Sequence, residues 1–418
     1  MKIVFLVDAR SAISRNWIRH FVERGHRVHV ISSYPCAPDV ITGVEQIYQF
    51  PVAFSGLSRI EHDGTFGSAK RKSLLTRGLA NFRSGALSQL STAMRFWLGP
   101  VELNRHVRRL RELITEISPD LVHAMRIPFE GILAAKSMPA GVPLIISVWG
   151  NDFTLVAASN PLIAGQTRKA LRRADALHSD CHRDMRLAIR DWGFDTKKPS
   201  TVLPSSGGVR TSVFYPEPDS DLRRQLDISD DAPVIINPRG FRTYVRNEVF
   251  FQAIPLVLKH RPESVFICTG MRGNPVAEKW ASEFEIKDNV RLLPVASHDE
   301  MANLFRAAEI TVSPSQHDGT PNSLLEAMAC GCFPVASDIE SVREWITDGE
   351  NGLLCEPTDK ESIASAILRA IEDRQLRDKA RAHNLRLVIE SAEYDNVMSK
   401  VEELYHKVIG LAQPSLKV

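Results

Sequence analysis

Residues 313–354 read SPSQHDGTPNSLLEAMACGCFPVASDIESVREWITDGENGLL: a strand end, a turn, a helix and a second strand in succession. Thr320 is expected to cap a helix whose first residue is Pro321, which has no backbone N–H to lose. Gly331 is expected to stop it. At about 100° per residue, Leu324, Leu325 and Met328 share one face of this helix, and Asn322, Ser323 and Glu326 share the opposite one. The helix thus buries one side on a sheet and presents a carboxylate, an amide and a hydroxyl at the carboxyl end of the strand EITVSP, where open α/β sheets place their ligands. Its N-terminus adds unsatisfied N–H groups and partial positive charge, suited to a diphosphate. Asp318 lies eight positions before Glu326. Two carboxylates so placed suit a ligand with hydroxyl groups on either side of its phosphates.

Outward from this stretch, short apolar runs alternate with helix-length segments. KIVFLV, RVHVIS, DLVHAM, PLIISVW, ADALHS and STVLP precede residue 205; PVIINP, SVFICTG, VRLLPV, EITVSP and CFPVAS follow it. This rhythm predicts parallel sheets with helices on both faces. The runs are too many for one comfortable doubly wound sheet, so two sheets in two α/β domains are expected. The boundary falls in residues 203–218, LPSSGGVRTSVFYPEP, which are rich in proline and glycine. The expected units are residues 1–205, residues 206–395, and a helix over 396–418 that returns to the first domain. PSSGG, residues 204–208, is expected to serve as a hinge that proline at Gly207 or Gly208 would stiffen.

Composition excludes several classes. The chain has 418 residues, 44% hydrophobic and 24% charged, with 52 basic and 50 acidic side chains. It is not a disordered chain, and no global field draws it to nucleic acid. Six cysteines are too few for a disulfide scaffold, and the Cys330–Cys332 pair has no zinc-ligand spacing around it. The first apolar run is too short for a signal core or a membrane span. A cytoplasmic protein, peripheral to a membrane at most, is expected. Residues 66–111 stand apart: ten basic side chains face one acid, Glu102, with Leu, Phe and Trp interleaved. Such a segment, within a basic insertion at about 55–111, suits an anionic membrane surface or an anionic acceptor.

The pattern from Asp318 to Glu326, followed by AMACG, PVAS, Glu344, DGENGLL and Pro357, resembles the E-x7-E region of the family-four retaining glycosyltransferases. The resemblance implies the GT-B fold, two Rossmann-like α/β/α domains with the active site in the cleft between them. It implies that Glu326 holds the nucleotide ribose and that Asp318, with Asp for the usual Glu, contacts the donor sugar. Gly319, Thr320, Asn322, Ser323 and Leu324 fall in the donor-binding stretch. In PVIINPRGF, Arg239 and Gly240 end a strand; similar enzymes place an Arg there and a Lys further on against the donor diphosphate. Arg246 is the best match for that Lys, and Arg242 competes with it.

On the acceptor side, Trp149 stands where the family often has a His, followed by Gly150, Asn151 and Asp152. Asp152 either meets a sugar or caps the next helix. His123 matches the first His of the family's D-x-x-H-x-H pattern, or packs as a strand residue. Asp8, Arg10 and Ser11 replace the family's Gly-rich turn after the first strand. No G-x-G-x-x-G follows that strand, and no Walker A or HExxH pattern occurs. Asp219 and Asp221 lie beside the linker, away from a strand end, so no metal is expected. The expectation is therefore a metal-independent, retaining transfer from a nucleotide diphosphate sugar, of UDP or GDP type, with no other cofactor. The acceptor is expected to be a hydroxyl of a glycan, a lipid-linked glycan or a small molecule, as in envelope or exopolysaccharide synthesis. A nucleotide-sugar epimerase and an inactive binding protein are the alternatives.

Overall fold

The computed structural model describes residues 1–53, 55, 97–217, 221–242 and 244–412. They form two compact units: Met1–Gly207 with Met398–Val418, and Gly208–Val397.

The first unit holds a seven-stranded sheet: β1 (Lys2–Val7), β2 (Arg27–Ser32), β3 (Gln46–Gln49), β4 (Leu121–Ala124), β5 (Leu144–Val148), β6 (Ala176–Ser179) and β7 (Ser200–Val202). Their order is β3-β2-β1-β4-β5-β6-β7, with every pair parallel. Five of the six residues of β1 are buried, as a strand covered on both faces requires. Helices Ala12–Glu23, Asn104–Ile117, Pro161–Arg173 and His182–Arg190 flank the sheet. β3 escaped the sequence reading because QIYQ is an edge strand with no fully buried residue.

The second unit holds a six-stranded parallel sheet: β8 (Val234–Asn237), β9 (Val265–Cys268), β10 (Val290–Leu292), β11 (Ile310–Ser313), β12 (Phe333–Ser337) and β13 (Leu353–Cys355), in the order β10-β9-β8-β11-β12-β13. Both units are thus doubly wound, as expected. Each sheet reverses its winding beside its first strand, between β1 and β4 and between β8 and β11, and ligands favour the carboxyl ends at such points. The helix Asn322–Cys330 packs Leu324, Leu325 and Met328 into the core. Gly331 ends it with φ 89°, the left-handed backbone that glycine adopts without strain.

The segment 204–208 is tied locally. Gly207 N–H donates to Pro204 O, and Val209 N–H to Ala392 O at 2.7 Å. Gly208 has φ 98°, and a Cβ there would lie 2.4 Å from Ala392 O. Gly207 has φ 84°. Proline fixes φ near −65°, so proline at either position would break this backbone rather than stiffen it.

Candidate functional site

The second unit gathers its polar groups at the ends of β8 and β11. Asn237, the last residue of β8, accepts from Arg239 N–H and donates to Asn247 Oδ1, each at 3.0 Å. Asn247 in turn donates to Gly240 O at 2.7 Å. This buried amide pair shapes the turn that carries Arg239. Sequence reasoning missed it, although an Asn inside the apolar run PVIINP was its signal. Arg239 Nη2 donates to Asp318 Oδ2 at 2.6 Å, with the two side chains 12% and 15% exposed. Its Nε is buried without a partner.

Arg246 enters from the loop before the helix Asn247–Leu258. That loop is pinned to the one after β11: Arg246 N–H donates to Pro314 O at 2.7 Å, and Gln316 N–H to Tyr244 O at 2.9 Å. Arg246 Nε is likewise buried and unpartnered. Arg242 is exposed. Of the two competing arginines, Arg246 is thus the one joined to the Asp318 side.

The helix start differs from expectation. Pro321 is the cap residue, with extended backbone, and the first helical residue is Asn322. Thr320 does not cap it; its Oγ1 accepts from Trp345 Nε1 at 3.1 Å. Ser341 Oγ donates to Asp318 O at 2.7 Å. The backbone of residues 318–320, which includes Gly319, is therefore moored to the segment after β12. Leu324 corrects another expectation. Its side chain is 1% exposed in the core, and its N–H donates to Pro321 O, so it offers a donor nothing. Asn322, Ser323 and Glu326 lie on the half-buried face, and Ser323 Oγ has no partner. No described residue hydrogen-bonds the Glu326 carboxylate. Burial pushes its pKa up to about 7, against the pull of the Arg239 guanidinium.

In the first unit, β1 leads into Asp8, whose carboxylate takes Arg10 Nε and Nη2 at 3.0 and 2.9 Å. The guanidinium lies 3.9 Å from the Tyr34 ring centroid. Ser11 opens the helix Ala12–Glu23 without a side-chain cap bond. β4, the neighbour of β1, leads into Arg126, which sequence reasoning did not single out. A strand-end arginine, as at Arg239, was the available signal. Arg126 Nη2 donates to Asp152 Oδ1 at 2.6 Å and to Asn151 Oδ1 at 2.8 Å, and its guanidinium carbon lies 5.5 Å from the Trp149 ring centroid. Asp152 is fully buried and also accepts from Trp149 N–H at 3.0 Å. The expectation that Asp152 meets a sugar is corrected: it holds Arg126, whose side chain is 35% exposed.

His123 is corrected too. It is fully buried, T-shaped against Trp17 and Tyr405. Six groups, His123 among them, form a hydrogen-bonded chain. Trp17 Nε1 bonds Tyr405 Oη at 3.3 Å, and Tyr405 Oη bonds His123 Nδ1. His123 Nε2 bonds Ser147 Oγ at 2.8 Å, Ser147 Oγ bonds His178 Nδ1 at 2.9 Å, and His178 Nε2 bonds Leu203 O at 2.9 Å. The indole only donates and the carbonyl only accepts, so each proton in between has one direction. Burial holds both imidazoles neutral, pushing His178 down to about 4 and His123 well below its usual value. No ring nitrogen of His123 is left for an acceptor.

One cluster among the described residues brings metal-ligand atoms together: Asp180, Cys181 and Asp184, all buried. Arg183 Nε bonds Asp184 at 2.8 Å, and burial pushes the Cys181 thiol far up, so a guanidinium already stands where a cation would. The six cysteines are free; Cys36 is half-buried and the other five are buried. No helix of the described residues is long and apolar enough to cross a membrane.

Two family models match the sequence: glycosyl transferase 4-like domain over residues 11–204, and glycosyl transferases group 1 over residues 219–385. Among curated relatives, the D-inositol 3-phosphate glycosyltransferase of Thermobispora bispora is 29% identical over 185 residues, 42% of this chain and 43% of the relative. That of Streptosporangium roseum is 27% identical over 58% of this chain and 59% of the relative. The chain thus spans about half the length of these relatives. The N-acetyl-alpha-D-glucosaminyl L-malate synthase of Bacillus anthracis is 20% identical over 66% of this chain and 71% of its own. Among solved structures, sucrose-phosphate synthase from Thermosynechococcus elongatus superposes with TM-score 0.71 at 15% identity, over 98% and 100% of the two chains. Anabaena HepE in complex with UDP-glucose superposes with TM-score 0.69 at 16% identity, over 97% and 100%. At these identities the likeness carries the fold.

Proposed function

We propose that this chain, which belongs by its fold and both of its domain families to the GT-B glycosyltransferases, moves a sugar from a nucleotide diphosphate sugar to a hydroxyl acceptor with retention at the anomeric carbon. The carrying observation is the cluster at the ends of β8 and β11: two guanidiniums with idle Nε–H groups beside a carboxylate that no described residue hydrogen-bonds. Arg239 and Arg246 take the diphosphate and stabilise the charge that builds on it as it leaves. Glu326 accepts from two ribose hydroxyls. Asp318 meets the sugar, backed by the moored backbone of Gly319 and Thr320, and Asn322 and Ser323 add polar groups at the helix N-terminus. The bond from the anomeric carbon to the diphosphate breaks, and the acceptor oxygen bonds on the same face. The acceptor proton passes to the departing phosphate oxygen, so no protein base is needed. The two guanidiniums supply the positive charge that a metal would otherwise bring.

The acceptor proposed is a hydroxyl compound carrying a phosphate or carboxylate, a phosphate-bearing lipid-linked glycan of envelope assembly included. Arg10 and Arg126, at the ends of adjacent strands, support it. So do the relatives' names, inositol 3-phosphate and L-malate each bearing an anionic group. UDP-sugars are the first donors to screen, since HepE was solved with UDP-glucose. Thermal stabilisation by a UDP- or GDP-sugar, with release of free nucleotide on adding acceptor, is the expected result. No stabilisation by any nucleotide sugar would sink the proposal, and a 2-epimer formed without transfer would replace it with the epimerase.

Nucleotide affinity should depend on pH through Glu326. The ionised carboxylate is the form that accepts from hydroxyls. With its pKa raised to about 7, affinity for UDP should rise as pH rises from 6 and level off above 8. Glu326→Gln should flatten this profile; a parent profile already flat from pH 6 to 8 would remove Glu326 from the binding step.

Membrane docking is proposed for the described end of the basic segment; residues 66–96 lie outside the described residues. Trp97, Leu98 and Val101 are 57%, 51% and 53% exposed and share one side of a helical stretch that continues to Arg105 and Arg108. Arg105 and Arg108 are exposed but paired with Glu102 and Glu112, so the apolar trio carries the insertion and the charges steer it. Co-sedimentation should increase with anionic lipid and fall with salt, because exposed charges are screened within about 10 Å at 0.1 M. Trp97→Ala should weaken it. Liposome binding insensitive to both lipid charge and Trp97 would end this proposal.

A further inference from the structure

We infer that Asp318 is an internal stand-in for the donor diphosphate, occupying Arg239 until the donor displaces it. This rests on the donor-site reading above and adds a gate to it. A guanidinium offers its Nε–H and Nη2–H as a parallel pair that matches two phosphate oxygens. Here Asp318 Oδ2 takes Nη2 at 2.6 Å, while Nε is buried with no partner. The edge is therefore half used. A buried N–H left unmade is costly, and a diphosphate that engages both N–H groups recovers what the carboxylate leaves idle. Exchange is favoured by that geometry rather than by charge alone.

The surroundings let the side chain move without the backbone. Ser341 Oγ holds Asp318 O at 2.7 Å, and Trp345 Nε1 holds Thr320 Oγ1 at 3.1 Å. Rotation of the short Asp318 side chain then suffices to free Arg239. The released carboxylate becomes an acceptor for donor hydroxyls, so one displacement both admits the phosphate and arms the sugar contact. Among the described residues, Glu326 acts on Arg239 through space, and Arg246 enters by the loop pinned beside it. With Arg239 engaged by Asp318, the site presents less positive charge to free phosphate anions. A donor must bring enough contacts to win the exchange, which selects against simple phosphates.

The test is equilibrium binding of inorganic pyrophosphate and of UDP, neither of which carries a sugar. The proteins are the full chain, Asp318→Asn, Arg239→Ala and the double variant, with thermal unfolding to check each fold. Asp318→Asn removes the competing charge at constant size, and both probes should bind several-fold more tightly. Arg239→Ala should weaken both. In the Arg239→Ala background, Asp318→Asn should bring no gain, because the competition it relieves is over that guanidinium. Unchanged or weaker binding in Asp318→Asn, with Arg239→Ala still weakening, overturns the gate and leaves the donor site standing. Binding indifferent to Arg239→Ala overturns both.

Discussion

Glu326→Ala is expected to remove nearly all nucleotide affinity while leaving the second unit folded. Two hydrogen bonds from ribose hydroxyls to a charged acceptor are at stake, together about 3 kcal/mol, or roughly a hundredfold in dissociation constant. Titration calorimetry with UDP reads this directly. The fold should survive because Leu324, Leu325 and Met328, not Glu326, anchor the helix in the core. The stability effect has the opposite sign to the binding effect. A carboxyl whose pKa is raised to about 7 by burial binds its proton more tightly folded than unfolded. Its ionised form therefore opposes folding above pH 7, and the penalty fades as pH falls toward the unfolded value. Glu326→Gln should unfold at a higher temperature than the parent at pH 8 and at nearly the same temperature at pH 5. A variant that keeps UDP affinity would show that the helix face serves another ligand.

His123→Leu should destabilise the first unit by about 3–5 kcal/mol, among the larger losses for a single substitution. The leucine fills the space but strands Tyr405 Oη–H in a fully buried site, and Ser147 loses its donor. Urea unfolding followed by tryptophan fluorescence and far-ultraviolet circular dichroism measures it. Tyr405→Phe should show a related loss, leaving Trp17 Nε1–H and His123 Nδ1 without partners. Full stability in both variants would mean that the chain of bonds contributes nothing. Acid should act on the same chain. A proton on His123 or His178 adds a donor where only a donor already points, so stability from these neutral rings is kept above their unfolded pKa and lost as pH falls below it.

The double winding of both sheets was legible because each central strand is a short apolar run, readable without knowing its neighbours. The partner of each polar residue was not. Arg126 and Asp152 are 26 positions apart, and His123 and Tyr405 are 282 apart. Nothing in DLVHAM says whether its His faces a ligand or an aromatic core. Asp152 looked like a ligand residue for the same reason, until its burial under Arg126 showed which group meets solvent. Glu326 was placeable because helical periodicity alone separates its face from that of Leu325. Thr320 failed as a cap because Pro321 fixes an extended turn one residue later, and Trp345, from beyond the next strand, claims its hydroxyl.

The helix Tyr394–Ala412 begins in the second unit and, from Met398 onward, belongs to the first. Tyr405, stacked on Phe21 with ring centroids 4.8 Å apart, closes the core that β1 opens. On the ribosome this inverts the order of maturation. The residues of β1 must wait, through the synthesis of an entire intervening unit, for the stretch that lets their core close. The second unit, although its strands are translated later, has all its own residues by Val397, before the first unit receives its last helix. Its completion precedes that of the unit that emerged ahead of it, and a nascent chain stalled before residue 405 would present an unfinished aromatic core to chaperones.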